Sequence, residues 1–340
     1  MRHTVAIPSY RRPVDLKRAL AALTMQLRPV EEVIVVARKD DLETHSVVQD
    51  FAPLLPVRLQ LVEQPGVVVA YNRALDVATG DVLSFVDDDA APRANWARMT
   101  IEALETDPGL AGIGGRDNVF EAGRWLEGAE LIVGKVPWHG RTIGNHHLGV
   151  GPKRDVDSLK AVNMSVRMSD VGNLRMDRRL RGNGAQWHCE LKFCLELRKQ
   201  GKRLAYDPSI VVDHFVAPRH DEDHRNSFNP KPYENQVHNL TLTLLEYIGP
   251  GGRCVMVPYA LASGVGTDFF GVLRALRSWP KLGSATWAKF AASARGVRAG
   301  WVTWKESKAA GPEMIDSRRH QGNIPDAGCV RSHNIRNSKS

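Results

Sequence analysis

Val82-Leu83-Ser84-Phe85-Val86-Asp87-Asp88-Asp89-Ala90 is the stretch from which the rest of the chain can be read. Val82 to Val86 is a short β-favouring run of the kind that forms a buried strand. Three carboxylates follow it at once. In open α/β sheets, ligands bind outside the carboxyl ends of the strands, and Asp87, Asp88 and Asp89 would stand at such an edge. Adjacent like charges repel unless a cation or donor groups offset them. The alternate members Asp87 and Asp89 can face one site together. Oxygen ligands suit Mg²⁺ or Mn²⁺, ions that commonly come with phosphate oxygens. For this stretch alone, a solvated acidic turn is the alternative.

Upstream, Thr4 to Ile7 reads as a strand. A helix follows over Val14–Leu27, with Leu16, Ala19, Leu20, Leu23 and Leu27 at helical spacing and Pro13 in its first turn. Val33–Val36 and Val57–Val62 are further strands. After the turn Gln64-Pro65-Gly66, a short helix spans Val69–Ala78, with Gly80 as its stop. Downstream come a helix over Asn95–Glu105 and a strand over Ala111–Gly115. This alternation predicts an α/β fold, a mostly parallel sheet with helices on both faces.

From Arg116 to Lys160 the pattern weakens into a loop-rich, partly β region that covers the cleft. Lys160–Arg167 returns as a strand. A helix over Trp187–Gln200 is closed by Gly201, and short strands at Arg203–Tyr206 and Ile210–His214 flank Asp207-Pro208. The segment His220-Asp221-Glu222-Asp223-His224 holds metal-capable groups but reads as a charged loop. Tyr233–Tyr247 is a helix that packs back on the body.

The chain has 340 residues, 43% apolar and 25% charged, the composition of an ordinary globular protein. Cys189, Cys194, Cys254 and Cys329 form no CxxC pair and read as free thiols in a reducing compartment. The first strand begins too early to leave room for a signal peptide, so a cytoplasmic location is expected. The net charge of +8 belongs to the C-terminal tail. Residues 251–340 carry 14 Lys and Arg against 5 Asp and Glu, whereas the first 250 carry 32 against 33. A near-neutral body speaks against a nucleic-acid partner.

The tail instead suggests peripheral contact with an anionic membrane, at the inner face of the cell membrane. Trp279, Trp287, Trp301 and Trp304 alternate there with Lys and Arg. Cys254–Leu273 is apolar, but Pro258, Gly264, Gly266 and Asp268 favour interfacial helices over a span. An ordinary helical appendage is the alternative. Gly311–Ser340 is polar and reads as disordered.

With the aspartates placed, the chain resembles the family 2 glycosyltransferases of GT-A fold, an inverting, DXD-containing family. Four pieces match in order: Val5-Ala6-Ile7-Pro8-Ser9-Tyr10-Arg11-Arg12 as the nucleotide-side loop, Gly66 with Ala70-Tyr71-Asn72-Arg73, Phe85 to Asp89 as the DXD strand end, and Trp187 to His214 as the acceptor-side helix and strand. The resemblance covers about residues 3–215. It implies a GT-A-like, Rossmann-like sheet with a helical basic C-terminal tail. Residues 1–115 would form the nucleotide-sugar half, 116–250 the acceptor half and 251–310 the membrane-associated tail.

It further implies sugar transfer from a nucleotide-diphospho sugar, a UDP-sugar being the favoured donor, to a hydroxyl of a glycan or lipid-linked acceptor. The divalent cation, Mn²⁺ or Mg²⁺, would offset charge on the leaving diphosphate. Asp89 is the first choice of metal ligand, and His214 resembles the family's histidine near the metal. Asp87 serves the ribose or the ligand shell. Pro8, Ser9, Arg11, Asp40, Asn72 and Asp88 would line the nucleotide.

Two departures stand out. The family's base-reading carboxylate after the second strand is replaced by Ala37-Arg38-Lys39, with Asp40 and Asp41 only later. The family's Glu-Asp pair at the acceptor-side helix is replaced by Trp187-His188-Cys189-Glu190. Glu190 is the first choice of general base, favoured as a carboxylate at a helix start, with His188 as runner-up or orienting partner. A nucleotidyltransferase is a competing enzyme class, although Pro8–Pro13 lacks the glycine-rich loop it would need. A non-catalytic nucleotide- or glycan-binding member is the other alternative.

Overall fold

The computed structural model describes residues 1–221, 228–264 and 270–310. Glu222, Asp223 and His224, Gly266 and Asp268, Cys329 and the tail from Gly311 lie outside the described residues.

Four strands build the first half: β1 (His3–Pro8), β2 (Glu32–Arg38), β3 (Val57–Val62) and β4 (Val82–Phe85). They lie parallel in the order β3-β2-β1-β4. Between them run α1 (Pro13–Thr24), α2 (Leu42–Phe51) and α3 (Val67–Val77). β1, β2 and β4 are buried on both faces by alternate residues, while β3 lies half-exposed at the edge. Val5, Ile7, Val33, Val35 and Val82 pack with Leu16, Leu20 and Leu23 of α1 and Val47 of α2. Ala6, Ile34, Val36, Leu83 and Phe85 pack with Val68, Tyr71, Ala74 and Leu75 of α3. The expected helices on both faces are thus present.

The second half is mixed rather than parallel. After β5 (Ala90–Pro92) and α4 (Trp96–Thr106) come β6 (Leu110–Glu121), β7 (Arg124–Trp125), β8 (Arg154–Val156), β9 (Met164–Arg167), the one-turn helix α5 (Met168–Val171), α6 (Cys189–Lys199) and β10 (Arg203–Phe215). β9 inserts antiparallel between β4 and β6, while β6 and β10 run parallel. The two short strands expected around Asp207-Pro208 are one strand, β10, whose register shifts between Asp207 and Val211. Ser209 bonds back to Asp207 Oδ1 through its backbone N–H, 2.9 Å away, closing the bulge. Gly115 faces it: a Cβ there would meet the Ile210 carbonyl oxygen at 1.7 Å.

Other expectations shift in detail. The first helix stops at Thr24, and Leu27 is 68% exposed, not on the buried stripe. Gly80 closes no helix; it lies where a Cβ would strike Thr4 Oγ1 at 2.6 Å. α2 is an element the sequence reading does not contain; Asp41 caps it through the Thr44 N–H.

The C-terminal part folds onto the body as α7 (Pro230–Tyr247), α8 (Pro250–Ser263), α9 (Val272–Leu282) and α10 (Ala285–Ala309). α10 lies tightly on α7, with Gly296 against Val237 and Gly300 against Thr241. Trp301 and Trp304, expected at a membrane surface, are half-buried against the body instead. Among the described residues no helix is long and apolar enough to cross a membrane.

Candidate active site

Between the carboxyl edge of β1, β2 and β4 and the α6–α7 side lies a cleft of about 840 Å³. Pro8, Ser9, Asp87, Asp88, Asp89, Glu190 and His214 line it.

β4 delivers the aspartates. Val86 N–H still bonds Ala6 C=O at 3.1 Å, and then the chain turns with Ala90 N–H on Asp87 C=O at 3.1 Å. β5 pairs antiparallel with β10, setting Ala90 opposite His214. Asp87, Asp89 and His214 consequently converge, each offering a ligand atom within 4.8 Å of the others. His214 Nε2 lies 3.3 Å from Asp89 Oδ1, and Nδ1 lies 3.7 Å from Asp117 Oδ2. Both ring nitrogens are buried and make no directed hydrogen bond. Two carboxylates and such an imidazole form a donor set that fits a divalent cation.

Within the cluster the charges compensate one another. Burial works to raise Asp89, but the His214 imidazole, the Ala217 N–H and the Arg12 charge hold it well below the ordinary carboxylate range. Burial also opposes charge on His214, yet Asp117 and Asp89 raise it to about 9. In Asp87, burial and then the neighbouring Asp89 charge push the carboxyl up. Burial raises Asp88 to about 7 against the opposing Arg12 charge.

Asp88 points away from the cluster's centre into a separate bracket. Ser9 Oγ donates to its Oδ2 at 2.8 Å, and Arg12 Nη1 donates to its Oδ1 at 2.8 Å. Arg12 also stands 3.6 Å from Asp89. It is therefore Arg12, not Arg11, that faces the cleft. Arg11 adopts a left-handed φ of 56°, and its side chain turns outward to Asp40 at 3.8 Å. Neither Arg11 nor Asp40 lines the cleft. Asn72 is likewise occupied elsewhere: it holds the Met176 backbone at 2.7 and 3.0 Å. Its neighbour Tyr71 lines the cleft and donates to Asp87 Oδ1 at 3.4 Å.

On the opposite wall, α6 begins at Cys189, and Glu190 lies in its first turn. Cys189 Sγ is 3.4 Å from Glu190 Oε2. His188 is the residue before the helix, in a left-handed conformation with φ 72°, and does not line the cleft. Lys160 lines the cleft with Asp117 buried behind it, and the sequence reading gives neither a role at the site. Asp117 is fully buried on β6 and pairs with Lys160 and His214. Burial opposes the Asp117 charge, but Lys160 and His214 hold it low.

A parallel half-sheet that presents a carboxylate–imidazole set at its carboxyl edge, joined to a mixed half-sheet, is the GT-A architecture. Residues 4–166 match the pattern of "Glycosyl transferase family 2". It is 30% identical over 114 residues to the "Succinoglycan biosynthesis protein ExoM" of Rhizobium meliloti, covering 32% of this chain and 37% of the relative. It is 24% identical over 209 residues to a "Glucosyl-dolichyl phosphate glucuronosyltransferase" of Haloferax volcanii, covering 57% of this chain and 62% of the relative. The chain thus spans less than two thirds of either curated relative.

Among solved structures, S. aureus TarS 1-349 in complex with UDP-GlcNAc superposes with a TM-score of 0.55 at 13% identity, covering 90% of this chain and 92% of that one. GalNAc-T7 with UDP, GalNAc and Mn²⁺ gives 0.60 at 14% identity, covering 82% and 54%. At such identities the likeness is one of fold.

Proposed function

We propose that this chain is an inverting glycosyltransferase that moves a sugar from a nucleotide-diphospho sugar to an acceptor hydroxyl. The observation that carries the reading is the convergence of Asp87, Asp89 and His214 on one cleft whose opposite wall holds Glu190. The complexes of the structural neighbours with UDP-GlcNAc and with UDP and Mn²⁺ are consistent with it.

A divalent cation, Mn²⁺ or Mg²⁺, held by Asp87, Asp89 and His214 would neutralise charge on the diphosphate. Ser9 and Arg12 fix Asp88, so that the loop after β1 is tied to the aspartates and forms a rigid nucleotide wall. Tyr71 orients Asp87. Glu190 receives the acceptor's hydroxyl proton, leaving the oxygen free to attack in line. Asp117, itself paired with Lys160, holds His214 from beneath. Residues 1–115 serve the donor and 116–250 the acceptor. The name of the Haloferax relative makes a lipid-linked sugar the favoured acceptor class.

The test is a thermal-shift screen of the purified chain with UDP, GDP, CDP and dTDP, with and without Mn²⁺, followed by transfer assays with sugars of the nucleotide that binds. One diphosphate should raise the melting temperature only with metal, and its sugar should be consumed with release of the diphosphate. Release of pyrophosphate, or no metal-dependent binding of any diphosphate, would overturn the reading.

A further inference from the structure

α9 turns its apolar side outward. Of its residues, Val272, Leu273, Leu276 and Trp279 are 37–59% exposed, and among the helix's described side chains Ala275 is the buried one. At 100° per residue these four share one arc, while Arg274, Arg277 and Lys281 fill the flanking arc. Trp279 meets Trp287 of α10 edge to face, with ring centroids 6.4 Å apart, so the patch continues onto a second helix. A water-facing stripe of this kind on a helix otherwise built for burial needs a covering partner.

We propose that this face seats on an anionic lipid bilayer. Indole rings beside aliphatic side chains suit the membrane–water boundary, and the flanking cations suit anionic headgroups. Charge decides between lipid and a second copy. Across the described residues of 251–310 there are nine Lys and Arg and a single acidic residue, Glu306. A two-fold dimer through α9 would set Arg274, Arg277 and Lys281 near their own copies, which is repulsive. An anionic bilayer meets the same charges with attraction that salt weakens.

The seating has a consequence for the cleft, and this step rests on the proposed transfer reaction. Lys289 lines the far end of the cleft, over the Phe228 ring at 5.5 Å. Lys289 and Trp287 are two residues apart on α10 and so project from nearly opposite sides. One helix thickness, roughly 10 Å, separates the patch from the cleft end. A sugar carried on a membrane lipid would enter there.

The experiment is co-sedimentation of the full chain with phosphatidylglycerol/phosphatidylcholine vesicles, with phosphatidylcholine vesicles as the neutral arm. The unaltered chain should bind the anionic vesicles and release with salt. Leu276→Glu/Trp279→Glu should lower partitioning about ten-fold or more. Arg274→Gln/Arg277→Gln/Lys281→Gln should remove the salt-sensitive part. Both variants should keep the metal-dependent diphosphate thermal shift, which shows that they fold and separates this proposal from the reaction itself. Absence of vesicle binding by the unaltered chain overturns the proposal, as does equal binding by the glutamate variant. So does a dimer of the unaltered chain that the glutamate variant dissociates, which would give the face to a second copy.

Discussion

His214 Nε2 reaches Asp89 Oδ1 at 3.3 Å because a three-residue strand, β5, pairs antiparallel with the end of β10 immediately after the aspartates. The Phe215 N–H bonds the Asp89 carbonyl at 2.8 Å, and the Ala217 N–H bonds Asp89 Oδ2 at 3.0 Å. The carboxylate is thus fixed by backbone on one side and faces the imidazole on the other. Asp89→Asn should keep the fold but abolish the metal-dependent part of diphosphate binding. Loss of a ligand on this scale should weaken the metal by at least about 100-fold. A Mn²⁺ titration followed by thermal shift reads this directly. An unchanged metal response would remove Asp89 from the ligand set.

Glu190 and His188 start the same helix but face different surroundings. Glu190 lines the cleft, while His188 holds a left-handed turn behind it. Glu190→Gln should lower turnover by about 10²–10⁴-fold with donor binding retained. His188→Asn, which tolerates the left-handed backbone, should keep turnover within a few-fold. The reverse order would make His188 the base.

The strands of the first half and the aspartates at the end of one of them are legible in the sequence because buried strands carry a plain apolar signal and the three carboxylates follow one of them at once. Which of two neighbouring residues faces the cleft is not. Arg11 and Arg12 read alike, and only the positive φ at Arg11 turns one outward. In Ala70-Tyr71-Asn72 the polar asparagine drew the reading, yet helical geometry points Tyr71 at Asp87 and Asn72 at Met176. Asp117 and Lys160 lie at the two ends of the irregular region, where no periodicity locates side chains. The signal that could have found them is chemical: a buried acid beside a histidine strand needs a cation. α2 was missed because Leu42-Glu43-Thr44-His45-Ser46 opens with mixed polarity, and its Asp41 cap is recognisable chiefly through its bond to Thr44.

The two arginines give a paired prediction. Arg12 is largely buried and bonded to Asp88, so Arg12→Ala leaves a buried carboxylate with only Ser9. Allowing for the solvent that reaches Arg12, the cost should be about 2–3 kcal/mol, seen as a lower urea midpoint and weaker donor binding. Arg11→Ala removes an exposed pair with Asp40 at 3.8 Å and should leave the midpoint unchanged. Equal effects of the two substitutions would mean that the loop after β1 presents Arg11 to the site.

Two histidines remote from the cluster make stability depend on pH. Burial, with Arg28 assisting, lowers His3 to about 3 beside Ser84. Burial lowers His238 to about 4, where it bonds Asn239 and Thr303 with Arg179, Arg181 and Asp177 nearby. Both are neutral in the folded chain, whereas the unfolded chain takes up protons near pH 6.5. Their contribution is therefore complete above about pH 6.5 and is lost as pH falls through about 4 for His238 and 3 for His3. Each should steepen the loss by up to about 1.4 kcal/mol per pH unit. Urea unfolding of the unaltered chain and of His238→Gln at pH 7, 6 and 5 should show the unaltered chain losing more stability than the variant, by up to about 1.4 kcal/mol per pH unit, whatever the variant costs at pH 7. A difference between the two proteins that does not change with pH would mean that the His238 ring is protonated, and solvated, in the folded protein.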